Sequence, residues 1–220
     1  MRKLKTYTNL YNLYLKSVKK LKVPFFICLL IFVLAFGTFF FDSFPFGLTL
    51  FMMFMIFPAF LFGILWLIAA IRSGKIYKMF TPQQFKMIND EIPSVEKYEG
   101  FLVTSQAVLC TKIGLQAVAM ENILWVYTHS TVYNWNGLIP IHKDTMLMIA
   151  GKDKKQRCFR IKNNEKACEF LQDELLKYRL DFVFGNEYGM DDIYKKDINR
   201  MIAFSQECAE KRRQFRQEIN

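Results

Sequence analysis

Residues that could do acid–base chemistry cluster near the C-terminal end of the chain. Glu187, Asp191 and Asp192 lie within one short segment. Two carboxylates at a suitable separation can serve as a general acid and a general base. Adjacent Asp residues at the start of a helix also cap free N–H groups and interact favourably with the helix dipole. We therefore predict a structural role for these carboxylates.

Metal-binding residues are few and dispersed. His129 and His142 are the only histidines, and the five cysteines are scattered without a C-x-x-C pair. Such scattered cysteines, odd in number, are typical of reduced thiols rather than of a disulfide framework. No phosphate-binding glycine loop, nucleophile elbow or H-E-x-x-H motif is present. The sequence predicts no metal site, no cofactor and no enzymatic activity.

A basic segment follows the strand predicted at 145–150. Lys152, Lys154, Lys155 and Arg157 stand beside a single acid, Asp153, in the turn of a predicted hairpin whose second strand is 157–162. Cations near a membrane surface are attracted to anionic headgroups by about 1 kcal/mol each. The hairpin tip could therefore contact a membrane or another anion, or it could be a solvated turn.

A second candidate surface is the stretch 132–144, which we predict to be a loop. It carries Tyr133, Trp135 and Ile139 among Asn, Gly and Pro residues. Aromatic side chains on a loop can anchor a protein partner. They can equally fold back over the end of a sheet, and the sequence leaves both readings open.

The positive charge of the chain is unevenly distributed. The net charge is +10, but Lys and Arg are in excess mainly in 1–22 and 72–89, whereas 90–220 is close to neutral. A nucleic-acid-binding domain would carry a basic face of its own. Nucleic acid is therefore not an expected partner.

Two uncharged apolar segments, 23–41 and 48–71, dominate the first third of the sequence. About 20 apolar residues suffice for a helix to cross the hydrocarbon core of a bilayer. The sequence thus predicts two transmembrane helices, with the lipid bilayer as a partner. A pair of buried core helices is the alternative, and the small residues of 35–37 would also fit a signal-peptidase site.

The predicted spans would form an antiparallel hairpin. Asp42, Pro45 and Gly47 mark a tight turn between them, and the basic flanks lie at both outer ends. Because positively charged flanks stay on the cytoplasmic side, we expect a multi-pass protein of the cell membrane with both termini in the cytoplasm.

The sequence predicts five segments along the chain. They are a basic amphipathic juxtamembrane segment (1–22), the transmembrane hairpin (23–71), a linker with a short helix (72–99), a strand-rich domain (100–180) and a C-terminal helical extension (181–220).

The strand-rich domain resembles bacterial PH-like domains. The resemblance is carried by Leu102–Leu109, by Gly114 and by Met120–Tyr127, and the strands and helix that follow keep the same order. The arrangement is similar to uncharacterised bacterial two-span proteins with a domain of unknown function. The resemblance implies a small split β-barrel plugged by a helix, hence an α+β domain, with no enzymatic activity and no binding residues to transfer.

These observations predict a non-enzymatic, membrane-anchored interaction module. Its ligand would be a protein partner, another copy of the chain or an anionic membrane surface. The alternative is a subunit of a membrane complex or a small transporter, in which the apolar hairpin itself would be the working part.

Overall fold

The computed structural model describes residues 6–39, 56–112, 114–135, 139–160, 164–186 and 189–219. Six α-helices lie in this part of the chain: α1 (Thr8–Phe39), α2 (Ile56–Lys75), α3 (Pro82–Glu91), α4 (Asn164–Tyr178), α5 (Met190–Lys196) and α6 (Ile198–Ile219). The strands are β1 (Lys97–Tyr98), β2 (Phe101–Val103), β3 (Ala107–Cys110), β4 (Gln116–Ala119), β5 (Ile123–Trp135), β6 (Ile139–Gly151), β7 (Gln156–Arg160) and β8 (Val183–Phe184).

The strands form two four-stranded sheets. The order in the first is β1-β2-β3-β4, and the order in the second is β7-β6-β5-β8. Strands β5 and β6 pair antiparallel along their whole length, from Ile123 opposite Gly151 to Trp135 opposite Ile139. Strand β8 pairs parallel with β5, with Val183 opposite Trp125.

The chain divides into two compact units. The first comprises Met1–Ser94 and Leu109–Ala117, and the second comprises Val95–Val108 and Val118–Asn220. The boundary therefore falls within β3 and within β4.

The core of the second unit includes a cluster on one face of β5. Trp125 is fully buried and stacks on Tyr127 at 3.8 Å between ring centroids. Helices α5 and α6 contribute Met190, Tyr194 and Met201 to the same cluster. The indole N–H of Trp125 donates to the carbonyl of Gly185 at 2.6 Å, so its one polar atom is satisfied, as buried indoles require.

Helix contacts at the N-terminal end of α1 organise the first unit. Leu10, Tyr14 and Val18 recur at helical spacing and are buried. The side-chain oxygen of Asn89, on α3, accepts hydrogen bonds from the backbone N–H groups of Asn9 (2.9 Å) and Leu10 (3.3 Å). Helix starts leave such N–H groups without partners inside the helix, so a residue of α3 caps the first turn of α1.

A tight turn packs against α2 in the same unit. Gly114 has φ +72°, and a Cβ placed there would lie 2.8 Å from the backbone of Ala69. The next amide, of Leu115, donates to the hydroxyl of Ser73 at 3.1 Å. Only glycine fits this approach, because it adopts positive φ freely and has no Cβ to collide.

The prediction of two transmembrane helices is wrong. No helix in the described part of the chain is long and apolar enough to cross a membrane. The N-terminal half of α1 carries Lys16, Lys19, Lys20 and Lys22, and α2 ends with Arg72 and Lys75. The predicted turn at Asp42, Pro45 and Gly47 lies outside the described residues.

Two further predictions that depended on the transmembrane helices are also wrong. A multi-pass protein of the cell membrane with both termini in the cytoplasm is not supported. The predicted fold class, a membrane hairpin joined to a PH-like split barrel, is replaced by an α+β architecture with two four-stranded sheets. The strand β8 and the helices α5 and α6, which lie in the predicted C-terminal extension (181–220), are part of the second unit.

Helices α1 and α2 pack on each other through aromatic side chains. The rings of Phe25 and Trp66 stack at 5.9 Å, and Gly63 makes room for Phe25. Other apolar side chains of these helices are exposed: Phe26, Ile27, Leu30, Val33, Phe60, Leu67 and Ile71.

Candidate functional site

The basic hairpin tip is formed by the turn between β6 and β7, as the sequence predicts. Its backbone is held by Asn122, whose carbonyl accepts from the N–H of Lys152 at 2.8 Å. The side-chain oxygen of Asn122 accepts from the N–H of Asp153 at 3.1 Å. The tip is therefore a fixed turn in which Lys154 adopts a φ of +59°.

Two of the four predicted contact residues at the tip face carboxylates. Both terminal nitrogens of Arg157 bind Asp153, at 2.8 and 3.2 Å, and Lys152 lies 3.9 Å from Asp181. Lys154 and Lys155 are exposed. Asp153 thus offsets the charge of Arg157, whereas Asp181 is also bound by Arg179 at 2.6 Å. Contact between this tip and anionic headgroups stays a prediction.

The pairing with Arg157 affects the pKa of the Asp153 carboxyl group. Burial alone would raise its pKa, but hydrogen bonds from Arg157 and Asn122 favour the charged form more strongly. The net effect lowers the pKa below its usual value of 3.8. Asp153 therefore stays ionised, and it holds Arg157 in place.

The predicted loop 132–144 belongs largely to two strands. Strands β5 and β6 continue to Trp135 and Ile139, with Tyr133 opposite His142. The side chains of Tyr133, Trp135 and Ile139 lie outside the described part of the chain. A role for them in binding a partner therefore stays a prediction.

The carboxylates singled out in the sequence lie in the first turn of α5. Asp191 forms an ion pair with Lys195 and accepts from Gln156 at 3.2 Å, and Asp192 lies 3.6 Å from Lys196. The hydrogen bond from Lys195 is the main reason why the pKa of Asp191 is lowered. Each acid is thus paired with a lysine on its own helix, and Glu187 lies outside the described residues.

The two histidines give little support for a metal site. His129 is exposed on β5, whereas the side chain of His142 lies outside the described part. Across the described residues, no three His, Cys, Asp or Glu side chains come together in a way that could hold a metal ion.

A groove that the sequence did not predict lies beside the C-terminal ends of α4 and α6. It has a volume of about 800 Å³. Its apolar lining is Leu176, Leu180 and Phe215, and its polar lining is Gln172, Lys211, Arg212 and Arg216. We call it the α4–α6 groove. Phe215 is 64% exposed and lies beside Leu176 and Leu180.

Two arginines of α6 connect this helix to α4 and to the segment that follows α4. Arg212 donates to the carbonyls of Leu180 (2.6 Å) and Phe182 (2.7 Å), and its guanidinium lies 4.7 Å from the centre of the Phe182 ring. Arg216 donates to the carbonyl of Leu176 at 2.8 Å. The last carbonyls of a helix need such external donors, so α6 caps the C-terminal end of α4.

Burial lowers the pKa of Arg212, an effect that the nearby Cys208 thiol opposes. Arginine nevertheless remains protonated at neutral pH, because its ordinary pKa exceeds 12. A lasting positive charge therefore lies at the edge of an apolar groove.

The sequence did contain a signal for the groove. Phe215 is the one apolar residue of the segment 211–216, among four cations and Gln214. An apolar residue on a helix usually faces other apolar residues. The lining residues come from α4 with the segment that follows it and from α6, which are separated in the chain by β8 and α5. Sequence periodicity alone does not bring these helices together.

No family model, curated protein or solved structure matches the chain. The resemblance to bacterial PH-like domains therefore stays a prediction.

Proposed function

We propose that this chain is a non-enzymatic interaction module that binds a segment of a partner protein in the α4–α6 groove. The observation that carries the proposal is the exposure of Phe215 beside Leu176 and Leu180. Aromatic and apolar anchors surrounded by polar residues are typical of the centres of protein interfaces.

The shape of the groove favours a peptide segment. Helices α4 and α6 and the segment after α4 line it. A further helix or an extended segment can pack between such elements. An 800 Å³ volume accommodates several apolar side chains. A partner segment would cover Phe215 and remove its apolar surface from water, which stabilises the complex by about 25 cal/mol per Å².

Other described surfaces favour binding chemistry less. At the hairpin tip, Arg157 is paired with Asp153, and Lys152 lies 3.9 Å from Asp181. The carboxylates of α5 are engaged by lysines on the same helix. The α4–α6 groove, in contrast, is lined by both apolar and cationic side chains.

The test is a selection of peptides from a random displayed library on the immobilised full chain. Peptides that bind the groove should be enriched, and Phe215→Ser should weaken their binding by at least about tenfold, since truncation of a central anchor costs more than about 1.4 kcal/mol. Phe215 is largely exposed, so the variant should keep the fold.

Met87→Ser is the matched control, because Met87 is another exposed apolar side chain, on α3. It should leave the affinity of the selected peptides unchanged. Two outcomes would overturn the proposal: no enriched peptide, or enriched peptides that bind Phe215→Ser as tightly as they bind the original chain.

A further inference from the structure

The rim of the α4–α6 groove carries one sign of charge. Lys211, Arg212 and Arg216 line it, and no Asp or Glu is among the lining residues. All three lie on α6, beside the apolar residues Leu176, Leu180 and Phe215, and attract negative charge. The groove should therefore discriminate between partners by charge.

Arg212 supplies a charge that the second unit does not neutralise directly. Its hydrogen-bond acceptors are backbone carbonyls, and its guanidinium lies over an aromatic ring. Among the described residues, no carboxylate forms an ion pair with it. Carbonyl dipoles reduce the cost of burying the cation but do not cancel its charge, so an incoming carboxylate would gain from it.

Lys211 adds an exposed cation to the same rim. Its side chain is exposed, and within the described ranges it forms no ion pair. Arg216 caps α4 and Arg212 binds the segment that follows α4, whereas Lys211 does neither. Its substitution therefore tests the charge of the rim without removing a contact that holds the two helices together.

We infer that the groove takes an acidic amphipathic helix of a partner protein, an inference that rests on the function proposed above. Apolar residues on one face of that helix would pack on Leu176, Leu180 and Phe215. Carboxylates beside that face would meet Lys211 and Arg212. Helices that bind in grooves use apolar residues at positions i, i+3, i+4 and i+7 in this way.

The probe is a labelled amphipathic peptide of about 15 residues, the length at which isolated helices begin to form. One version carries Glu beside its apolar face, and its twin carries Lys at the same positions. Fluorescence anisotropy measures both affinities at low and physiological salt. The acidic peptide should bind at least about fivefold tighter than its twin at low salt, and added salt should narrow the difference.

The net charge of +10 attracts any acidic peptide, so the controls compare variants of equal charge. Lys211→Glu should weaken binding of the acidic peptide about fivefold or more. Lys154→Glu changes the net charge equally, at the hairpin tip, and should leave the affinity within twofold, roughly the effect of a distant screened charge.

Three results would overturn the inference: equal affinity for both peptides, equal effects of Lys211→Glu and Lys154→Glu, or binding that Phe215→Ser does not weaken. If selected peptides depend on Phe215 but are neutral or basic, the acidic partner is excluded while the proposed function stands. If no peptide depends on Phe215, the proposed function fails as well.

Discussion

At the scale of single residues, Asp153 and Arg157 show how a side-chain pair sets both charge and geometry. Their bidentate contact fixes the turn between β6 and β7. The same contact offsets part of the positive charge that the sequence suggested for the tip. A count of cations in the sequence therefore overstates the charge that this surface offers to a ligand.

The pairing predicts the titration of Asp153. Its pKa is lowered in the folded chain, so the pair contributes stability above the ordinary pKa of 3.8, and that contribution is lost as pH falls through the lower folded value. Arg157→Gln keeps the burial that raises the pKa of Asp153 and removes the hydrogen bond that lowers it most. The midpoint of the Asp153 titration should therefore rise. The carboxyl ¹³C shift of Asp153, followed from pH 6 to 2 by NMR (a range of about four units around the ordinary value), measures it.

Lys154→Gln is the control for this titration, since Lys154 is a neighbouring cation without an ion pair to Asp153 within the described residues. It should shift the midpoint much less than Arg157→Gln. A midpoint that moves equally in both variants would show that general electrostatics, rather than the bidentate contact, lowers the pKa.

Substitution of Gly114 and Gly185 by Ala separates the cost of positive φ from the cost of a steric clash. Both have positive φ, but an added Cβ meets the backbone of Ala69 at Gly114 and nothing within 4 Å at Gly185. Gly185→Ala should cost about 1 kcal/mol for the left-handed conformation. Gly114→Ala should cost a further 1–3 kcal/mol or so from overpacking. Urea unfolding of each variant compares them, and equal costs would contradict the close approach to α2.

At the scale of elements, local signals predicted local structure well. A short helix was predicted in the linker 72–99, and α3 lies there, starting at Pro82 with a complete capping box formed by Thr81 and Gln84. The β6–β7 hairpin was also predicted at the right place. Such features depend on neighbours in the sequence, which are visible without the fold.

Predictions that depended on distant contacts were less successful. The predicted C-terminal helical extension contains two helices, because α5 ends before Asp197, whose side chain accepts from the N–H of Arg200 at 3.1 Å and so begins α6. The stretch 132–144 was expected to be a loop because Asn, Gly and Pro favour turns. Pairing along the long β5–β6 ladder outweighs those local preferences.

The cap that α3 provides for α1 gives a prediction at this scale. Asn89→Ala removes the acceptor for the N–H groups of Asn9 and Leu10, so the first turn of α1 should fray. Amide hydrogen exchange at these residues should become about fivefold faster or more, since loss of a cap costs about 1 kcal/mol.

Lys86→Ala, an exposed position on α3, serves as the control for the cap. Its exchange rates in α1 should match those of the original chain. Unchanged exchange in Asn89→Ala would mean that the cap contributes nothing to the stability of that turn.

At the scale of the whole molecule, composition alone was misleading. Two uncharged segments suggested membrane spans, yet within the described ranges no helix is long and apolar enough to cross a membrane. The first segment continues a helix whose N-terminal half is basic and packs on α3. The candidate site, in turn, joins residues of two helices that are far apart in the sequence, so only the fold reveals it.

The central claim is that the α4–α6 groove is the binding surface for a partner segment. NMR of the full chain with ¹³C-labelled leucine and methionine methyl groups, titrated with a peptide from the selection, tests this claim most directly. We predict that Leu176 and Leu180 shift strongly while Met87, on α3, does not. Shifts confined to Met87 or other positions outside the groove, with Leu176 and Leu180 unchanged, would contradict the account.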